Sequence, residues 1–524
     1  MYFLHSGFVE SCRAMPHRPA LHVDGAETSY QELWSRAGSF AATIQRRDPV
    51  GEPPLTAVFA DRSRTAFTGI LGALLAGRGY VPLSPVFPIA RTQSMLQRAG
   101  CRSVVVDARG AAQLDALLEG VEGRLLVILP DATDVNPWAR RWPWHTFVGS
   151  VHMTPAVELV DAAVSSDAVA YLLFTSGSTG IPKGVGVTHA NISHFVRAMA
   201  DRYGFSCHDR FSQMFDTTFD LSVFDMFVAW HHGACVYCPP RAALLNPDRF
   251  IREHELTGWF SVPSVGLLMQ RFGALKPGRY PSLRWSLFCG EPLPVSLAEA
   301  WAAAAPASTV ENLYGPTELT VACTAYRWNP TLSPAEASGG VVPIGMPLPG
   351  MQARVVDESL TDVASGEVGE LLMTGPQRTP GYWADAAATA RAHVRLPNDD
   401  RVYYRTGDRV RRLSGDGPLT YVGRTDHQIK VLGHRVELGE VEAALRQEPG
   451  VHAAVAVGWP VTSSGARGIA AFVTGDVEPA ALLSSVRRKL LGPAVPQTIR
   501  VLSEFPRTAS GKFDRQALLR LLSA

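Results

Sequence analysis

Short apolar runs alternate with helical periodicity through the first third of the chain. Leu55–Ala60 (LTAVFA), Cys101–Asp107 (CRSVVVD) and Leu125–Leu129 (LLVIL) are apolar on both parities and read as buried strands. Ala66–Ala76 (AFTGILGALLA) reads as a helix packed on a sheet, and Gly79–Leu83 starts the next strand. Strand and helix in alternation predict an α/β arrangement with parallel strands.

Ala168–Phe174 (AVAYLLF) continues the pattern and then breaks into Thr175, Ser176, Gly177, Ser178, Thr179 and Gly180, ending on Lys183. Thr188–Tyr203 reads as a helix with Ile192, Phe195, Val196 and Met199 on one face, so the loop is predicted to run from a strand towards a helix start. Trp259–Ser264, Leu283–Pro294 and Thr309–Glu318 each look like a strand ending in a Pro or Gly turn, where ligands gather in open α/β sheets. Gly366–Trp383 looks like a small β-rich portion. In Tyr421–Val441, Ile429, Val431 and Val436 alternate with polar residues and predict a surface hairpin. Strands at Val451–Val457 and Ile469–Val473 with a helix at Ala480–Leu491 complete a small final unit.

A length of 524 residues implies a large domain plus a smaller one. A formal net charge of +1 offers no bulk attraction to nucleic acid or membrane. The seven cysteines are scattered; only Cys235 and Cys238 form a CxxC, inside an apolar strand-like stretch with no companion pair for zinc. Reduced thiols of a cytoplasmic protein fit that pattern. The N-terminus lacks a signal pattern, and the most apolar run, Phe67–Val81, is short and contains Arg78, so no membrane span is expected.

Three stretches carry candidate chemistry. The Thr175–Lys183 loop offers hydroxyls, backbone N–H groups and a lysine suited to polyphosphate, at a spacing that is not the Walker loop. A flexible Ser/Gly turn is the plain alternative. Asp220 precedes an apolar helical run; it is either a helix N-cap or a buried carboxylate awaiting a cation. Asn312–Glu318 (NLYGPTE) packs an aromatic, a turn, a hydroxyl and a carboxylate into one strand end.

Motif by motif, in order, and over about residues 20 to 524, the chain resembles the adenylate-forming superfamily, and within it the adenylation proteins of nonribosomal peptide synthesis. The resemblance implies a large N-terminal domain of α/β subdomains plus a small β-rich portion, residues 1–425, followed by a small mobile α+β domain, residues 426–524. It places ATP on Thr175, Ser176, Gly177, Ser178, Thr179, Gly180, Lys183, Gly290, Glu291, Asn312, Tyr314, Gly315, Thr317, Asp408 and Arg424. Glu318 would hold Mg²⁺, Asp426 would be the hinge, and Lys512, Thr175 and Glu318 would be catalytic. Gly433, His434 and Arg435 would turn beside the thiol tunnel. Each has an ordinary alternative: Thr-Gly-Asp is a common turn, and a lysine after glycine is commonly just solvated.

The implied chemistry is attack of a carboxylate on the α-phosphorus of ATP, then transfer of the acyl group to the phosphopantetheine thiol of a separate carrier protein. The acid pocket would comprise Asp220, Leu221, Phe224, Ser261, Leu287, Cys289, Leu313, Val321 and Ala322, with Asp220 holding an α-ammonium. Apolar walls and bulky Phe224, Leu287 and Leu313 suit a small or compact amino acid, with proline or alanine favoured. An acyl- or aryl-CoA ligase, a D-alanine–carrier protein ligase and a non-catalytic nucleotide-binding scaffold are the alternatives. Asp220 argues against the CoA ligases, and Lys512, Glu318 and Asp408 argue against the scaffold.

Overall fold

The computed structural model describes residues 2–48, 53–176, 182–413, 417–462, 465–507 and 513–523. Among these, the apolar runs of the first third form a seven-stranded sheet. Its order is Thr146–Gly149, Leu126–Leu129, Ser103–Val106, Leu55–Phe59, Gly79–Leu83, Val169–Thr175 and Lys183–Thr188. All neighbours are parallel except the last pair. The predicted parallel α/β pattern is therefore present. The helix Arg64–Leu75 is buried along its length and starts on Ser63, whose hydroxyl accepts from the Ala66 N–H.

A nine-stranded sheet runs Met346–Pro347, Thr324–Arg327, Thr309–Tyr314, Trp285–Phe288, Gly258–Ser261, Arg210–Ser212, Cys235–Tyr237, Pro19–Val23 and Ala26–Ser29. The main core lies between the two sheets. Tyr171, Leu173, Val185 and Val187 from the first meet Phe260, Leu287 and Leu313 from the second, with Ile192, Phe195 and Met199 of the helix His189–Tyr203 between them. A five-stranded sheet built on Val368–Thr374 and Val402–Arg412 follows. The C-terminal region has a three-stranded sheet of Val451–Gly458, Ile469–Gly475 and Thr498–Val501, covered by Leu438–Arg446 and Pro479–Val486. This is a mixed α/β molecule with a large N-terminal and a smaller C-terminal domain.

Three expectations need correction. The loop after Thr175 does not lead into a helix. Lys183–Thr188 is a strand antiparallel to Val169–Thr175, because Val185 and Val187 alternate into the core. The helix begins only after Thr188, which forms a capping box with Asn191. The loop thus falls between two antiparallel strands rather than between a strand and a helix. The expected hairpin forms from Gln428–Val431 and His434–Glu437, yet it is docked on the large domain rather than facing solvent. The predicted helix Ala480–Leu491 is shorter, ending at Val486. The cysteines are free thiols, as their scatter suggested.

Candidate functional site

Strand ends of both sheets meet the docked hairpin around a cavity of about 100 Å³. Thr175 and Ser176 reach it from the first sheet. Asp220 and Leu221, Cys289 and Gly290, and Gly315 and Thr317 reach it from the second side. Lys430, Gly433, His434 and Arg435 close it from the hairpin, with Phe87 and Arg91 at the rim. Gly315 packs closely on the neighbouring backbone, where an added Cβ would lie 2.6 Å from the Ala322 Cα.

Asp220 is buried, and its side chain makes no cap bond to the short helix Leu221–Val223 that follows, which continues into a π-turn at Phe224–Val228. The N-cap alternative is therefore set aside. Burial pushes the Asp220 carboxyl up to about 6, against the opposing influence of the Thr317 hydroxyl, Lys430 and the Val321 backbone. One of its oxygens, Oδ2, has no hydrogen-bond partner among the described residues. A carboxylate kept this way is costly unless a cation arrives.

Of the expected acid pocket, Leu221 and Cys289 line the cavity beside Asp220. Phe224, Ser261, Leu287, Leu313, Val321 and Ala322 are buried, but they are not on its wall as it stands with the hairpin docked. Ser261 is turned away because its hydroxyl accepts from the Trp259 indole N–H at 3.0 Å and donates to the Val262 carbonyl. Burial pushes the Cys289 thiol up to about 12, so it stays neutral.

The residues expected to hold nucleotide and metal form two chains of contacts. The Tyr314 hydroxyl donates to Asp408 Oδ2; Arg424 Nη1 donates to Asp408 Oδ1 at 2.6 Å, and its Nε to Asp426 Oδ1 at 2.7 Å. Asp408 sits inside the strand Val402–Arg412 rather than after a free turn. Glu318, fully buried, accepts from the Tyr382 hydroxyl at 2.7 Å and pairs with Arg435 at 3.0 Å. Burial raises the Glu318 carboxyl, but Arg435 and Tyr382 outweigh it and hold it below the ordinary value. Lys183 places its ammonium 5.5 Å from the centre of the Tyr382 ring.

Two expected contacts are diverted. Glu291, read as an adenine-side residue, instead accepts from the backbone N–H groups of Ser264 at 2.8 Å and Gly433 at 2.6 Å. The Asn312 amide donates to the Pro343 carbonyl at 2.9 Å, so it braces a loop. Gly177, Ser178, Thr179, Gly180 and Lys512 lie outside the described residues. Among the described residues no group of three or more metal-ligating side chains gathers, and no helix is long and apolar enough to cross a membrane.

Lys430 and Tyr382 were absent from the expected site, and Arg435, expected only in the turn beside the thiol tunnel, instead reaches Glu318. Lys430 alternates with Ile429 and Val431, so it falls on the face that reads as solvated. Docking of the hairpin turns that face into the cavity. Burial, ahead of nearby arginines, lowers the Lys430 ammonium.

Residues 8–383 match the model of the AMP-binding enzyme family, and residues 440–512 match that family's C-terminal domain. The chain belongs to the AMP-binding enzyme family. Members of that family use ATP to form acyl-adenylates, and this chain is such an adenylate-forming ligase. It is 34% identical to the L-proline--[L-prolyl-carrier protein] ligase of Pseudomonas fluorescens, over 99% of each chain. It is 37% identical to the protein of the same name from Streptomyces coelicolor, over 83% of this chain and 80% of that one. The crystal structure of the Vibrio cholerae adenylation domain AlmE with glycyl-adenosine-5'-phosphate superposes with a TM-score of 0.88 at 33% identity, covering 99% of this chain and 97% of that one.

Proposed function

We propose that this enzyme activates a small or compact amino acid, proline or alanine first, as its aminoacyl-adenylate and passes it to the phosphopantetheine thiol of a carrier protein. The observation that carries the reading is Asp220: a buried carboxylate on the cavity with one oxygen free to receive an ammonium. The L-proline–carrier ligase relatives favour proline. The neutral Cys289 thiol and Leu221 on the cavity wall favour a side chain without charge.

In the first step the substrate carboxylate, already ionised at neutral pH, attacks the α-phosphorus and pyrophosphate leaves; no general base is required. Thr175, Ser176 and Thr317, which line the cavity, would hold phosphate oxygens, while Tyr314 would face the purine and Asp408 the ribose. Lys512 would offset the repulsion between the two anions. Magnesium is ordinarily held by one or two protein carboxylates and phosphate oxygens. Glu318 fits that role when Arg435 is withdrawn, and the ion would then neutralise charge on the phosphates. In the second step the thiol attacks the acyl carbon and AMP departs. The hairpin, docked as described and turning about Asp426, would shape the site for that step.

Pyrophosphate exchange across the common amino acids and a panel of amine-free acids tests the reading. Preferred exchange with proline or alanine, followed by a mass shift on a phosphopantetheinylated carrier, is the expected outcome. Better exchange with amine-free acids, and acyl transfer to free coenzyme A, would move the enzyme to the acyl-CoA ligases.

A further inference from the structure

Two consecutive β-branched residues, Thr320 and Val321, have positive φ, +61° and +68°. Branching at Cβ makes that region costly, and it persists only where surrounding contacts over-determine it. Both residues are fully buried, just after the helical turn Thr317–Leu319. From there the chain folds back onto the cavity wall. The Cys323 N–H donates to the Tyr314 carbonyl at 2.7 Å. A Cβ added to Gly315, which lines the cavity, would stand 3.0 Å from the Val321 carbonyl oxygen.

Gln377 supplies the contacts that hold this turn. It is fully buried. Its amide nitrogen lies 2.7 Å from the Ala322 carbonyl oxygen, 3.2 Å from that of Leu319 and 3.3 Å from that of Thr320. In return, the Thr320 hydroxyl donates to the Gln377 backbone carbonyl at 2.6 Å. The amide oxygen faces His194 Nδ1 at 3.3 Å, which leaves the nitrogen for the turn. Asn191 fixes the backbone on either side of Gln377, donating to the carbonyls of Pro376 at 2.7 Å and Arg378 at 3.2 Å. Three carbonyls of one strained turn therefore gather on a single side-chain amide.

We propose that Gln377 is a positioning residue for amino-acid selection: by clamping the turn 319–322 behind Gly315, it fixes the room left beside Asp220 and Leu221 for the substrate side chain. This rests on the reading of the cavity as the amino-acid site. Gln377 is not itself on the cavity wall. Without its amide, the turn relaxes towards ordinary φ and the wall behind Gly315 gives way. The residues proposed for nucleotide and metal keep anchors of their own, Tyr314 on Asp408 and Glu318 on Tyr382, and neither passes through the amide.

The test is Gln377→Met, which keeps the bulk and removes both polar ends, in the full-length enzyme. In pyrophosphate exchange the ratio of kcat/KM for the favoured amino acid, proline or alanine, over that for leucine is expected to shrink about tenfold, the order of discrimination that one methylene carries in an apolar pocket. The KM of the favoured amino acid should rise about tenfold while the ATP KM stays within about threefold. An unchanged ratio would overturn the proposal, as would an equal rise in both KM values, which marks a general loosening of the fold. Should Gln377→Met fail to fold, Thr320→Val decides, because it deletes only the reciprocal bond: a ratio reduced about threefold supports the proposal, and an unchanged one overturns it. Leu221→Ala, on the cavity wall itself, separates the two readings. If it leaves the ratio unchanged, the cavity is not the amino-acid site and both readings fall. A ratio that responds to Leu221→Ala but to neither change at the clamp refutes the clamp alone.

Discussion

Arg435 Nη1 lies 3.0 Å from Oε2 and 3.1 Å from Oε1 of Glu318, so one guanidinium nitrogen covers both oxygens of the carboxylate expected to hold the metal. Ser176, in the expected phosphate loop, donates to the Arg435 carbonyl at 2.7 Å. The docked hairpin thus uses two groups proposed above for the first half-reaction. On that proposal, metal and triphosphate would compete with the hairpin for the same atoms.

Arg435→Ala should separate the two half-reactions. With the hairpin docked, the variant leaves the Glu318 carboxylate buried without its cation, a loss of about 3–5 kcal/mol for breaking a buried pair. With the hairpin withdrawn, nothing is lost. Thioester formation on a carrier is expected to fall at least about tenfold. Pyrophosphate exchange should hold within about threefold. Equal loss in both assays would show that Arg435 serves the first step instead.

Gly433→Ala tests the docking by geometry. Gly433 has φ +79°, and an added Cβ would stand 2.4 Å from Val262 Cγ1. The strain of a positive φ and the clash both act in the docked arrangement. Carrier loading should drop about a hundredfold with exchange retained. A crystal structure of the variant with the turn still seated on Val262 would contradict this.

Much of this was written in the local pattern. The apolar runs Leu55–Ala60 and Cys101–Asp107 read as buried strands and form the parallel pair Leu55–Phe59 and Ser103–Val106, and the helix read over Thr188–Tyr203 is present from His189. What escaped was contact between distant segments. Lys430 occupies a polar position of an alternating hairpin, and alternation says only which face it shares, not what covers that face. Glu291 looks like a free turn carboxylate until Gly433 donates to it from 142 residues away. The strand Lys183–Thr188 went unread between the loop and the helix because Gly184 and Gly186 obscure the period-two burial of Val185 and Val187.

A second link between the domains is the buried pair Arg91–Glu440, each side chain 6% exposed. Burial, ahead of the opposing pull of Arg91, raises the Glu440 carboxyl. Glu440→Gln should weaken docking and slow carrier loading about tenfold, because the Arg91 charge is left buried. The double change Arg91→Met with Glu440→Leu should recover most of that loss, since an apolar pair of similar volume avoids both desolvation costs. Loading rates of the unaltered enzyme and the two variants form the check, and a double variant slower than Glu440→Gln would refute it.

Asp220 should show a trade between binding and stability. Its carboxyl is moved from 3.8 to about 6 on folding, chiefly by burial. A raised folded value means the native state holds this proton more tightly than the unfolded chain. The group therefore costs nothing below the unfolded value, and its penalty grows between about pH 4 and pH 6 and is full above that. The shift corresponds to about 3 kcal/mol at neutral pH. Asp220→Asn, which cannot ionise, should accordingly raise Tm at pH 7.5 and change it little at pH 4. The same variant should lose at least about a hundredfold in kcat/KM for the amino acid, because the ammonium then meets no charge. In the unaltered enzyme that kcat/KM should fall as pH drops through about 6, as the carboxylate takes up its proton. Calorimetry at the two pH values and exchange kinetics across the range measure both halves. A variant destabilised at pH 7.5 would mean that the carboxylate is held by partners in the native fold rather than kept for a ligand.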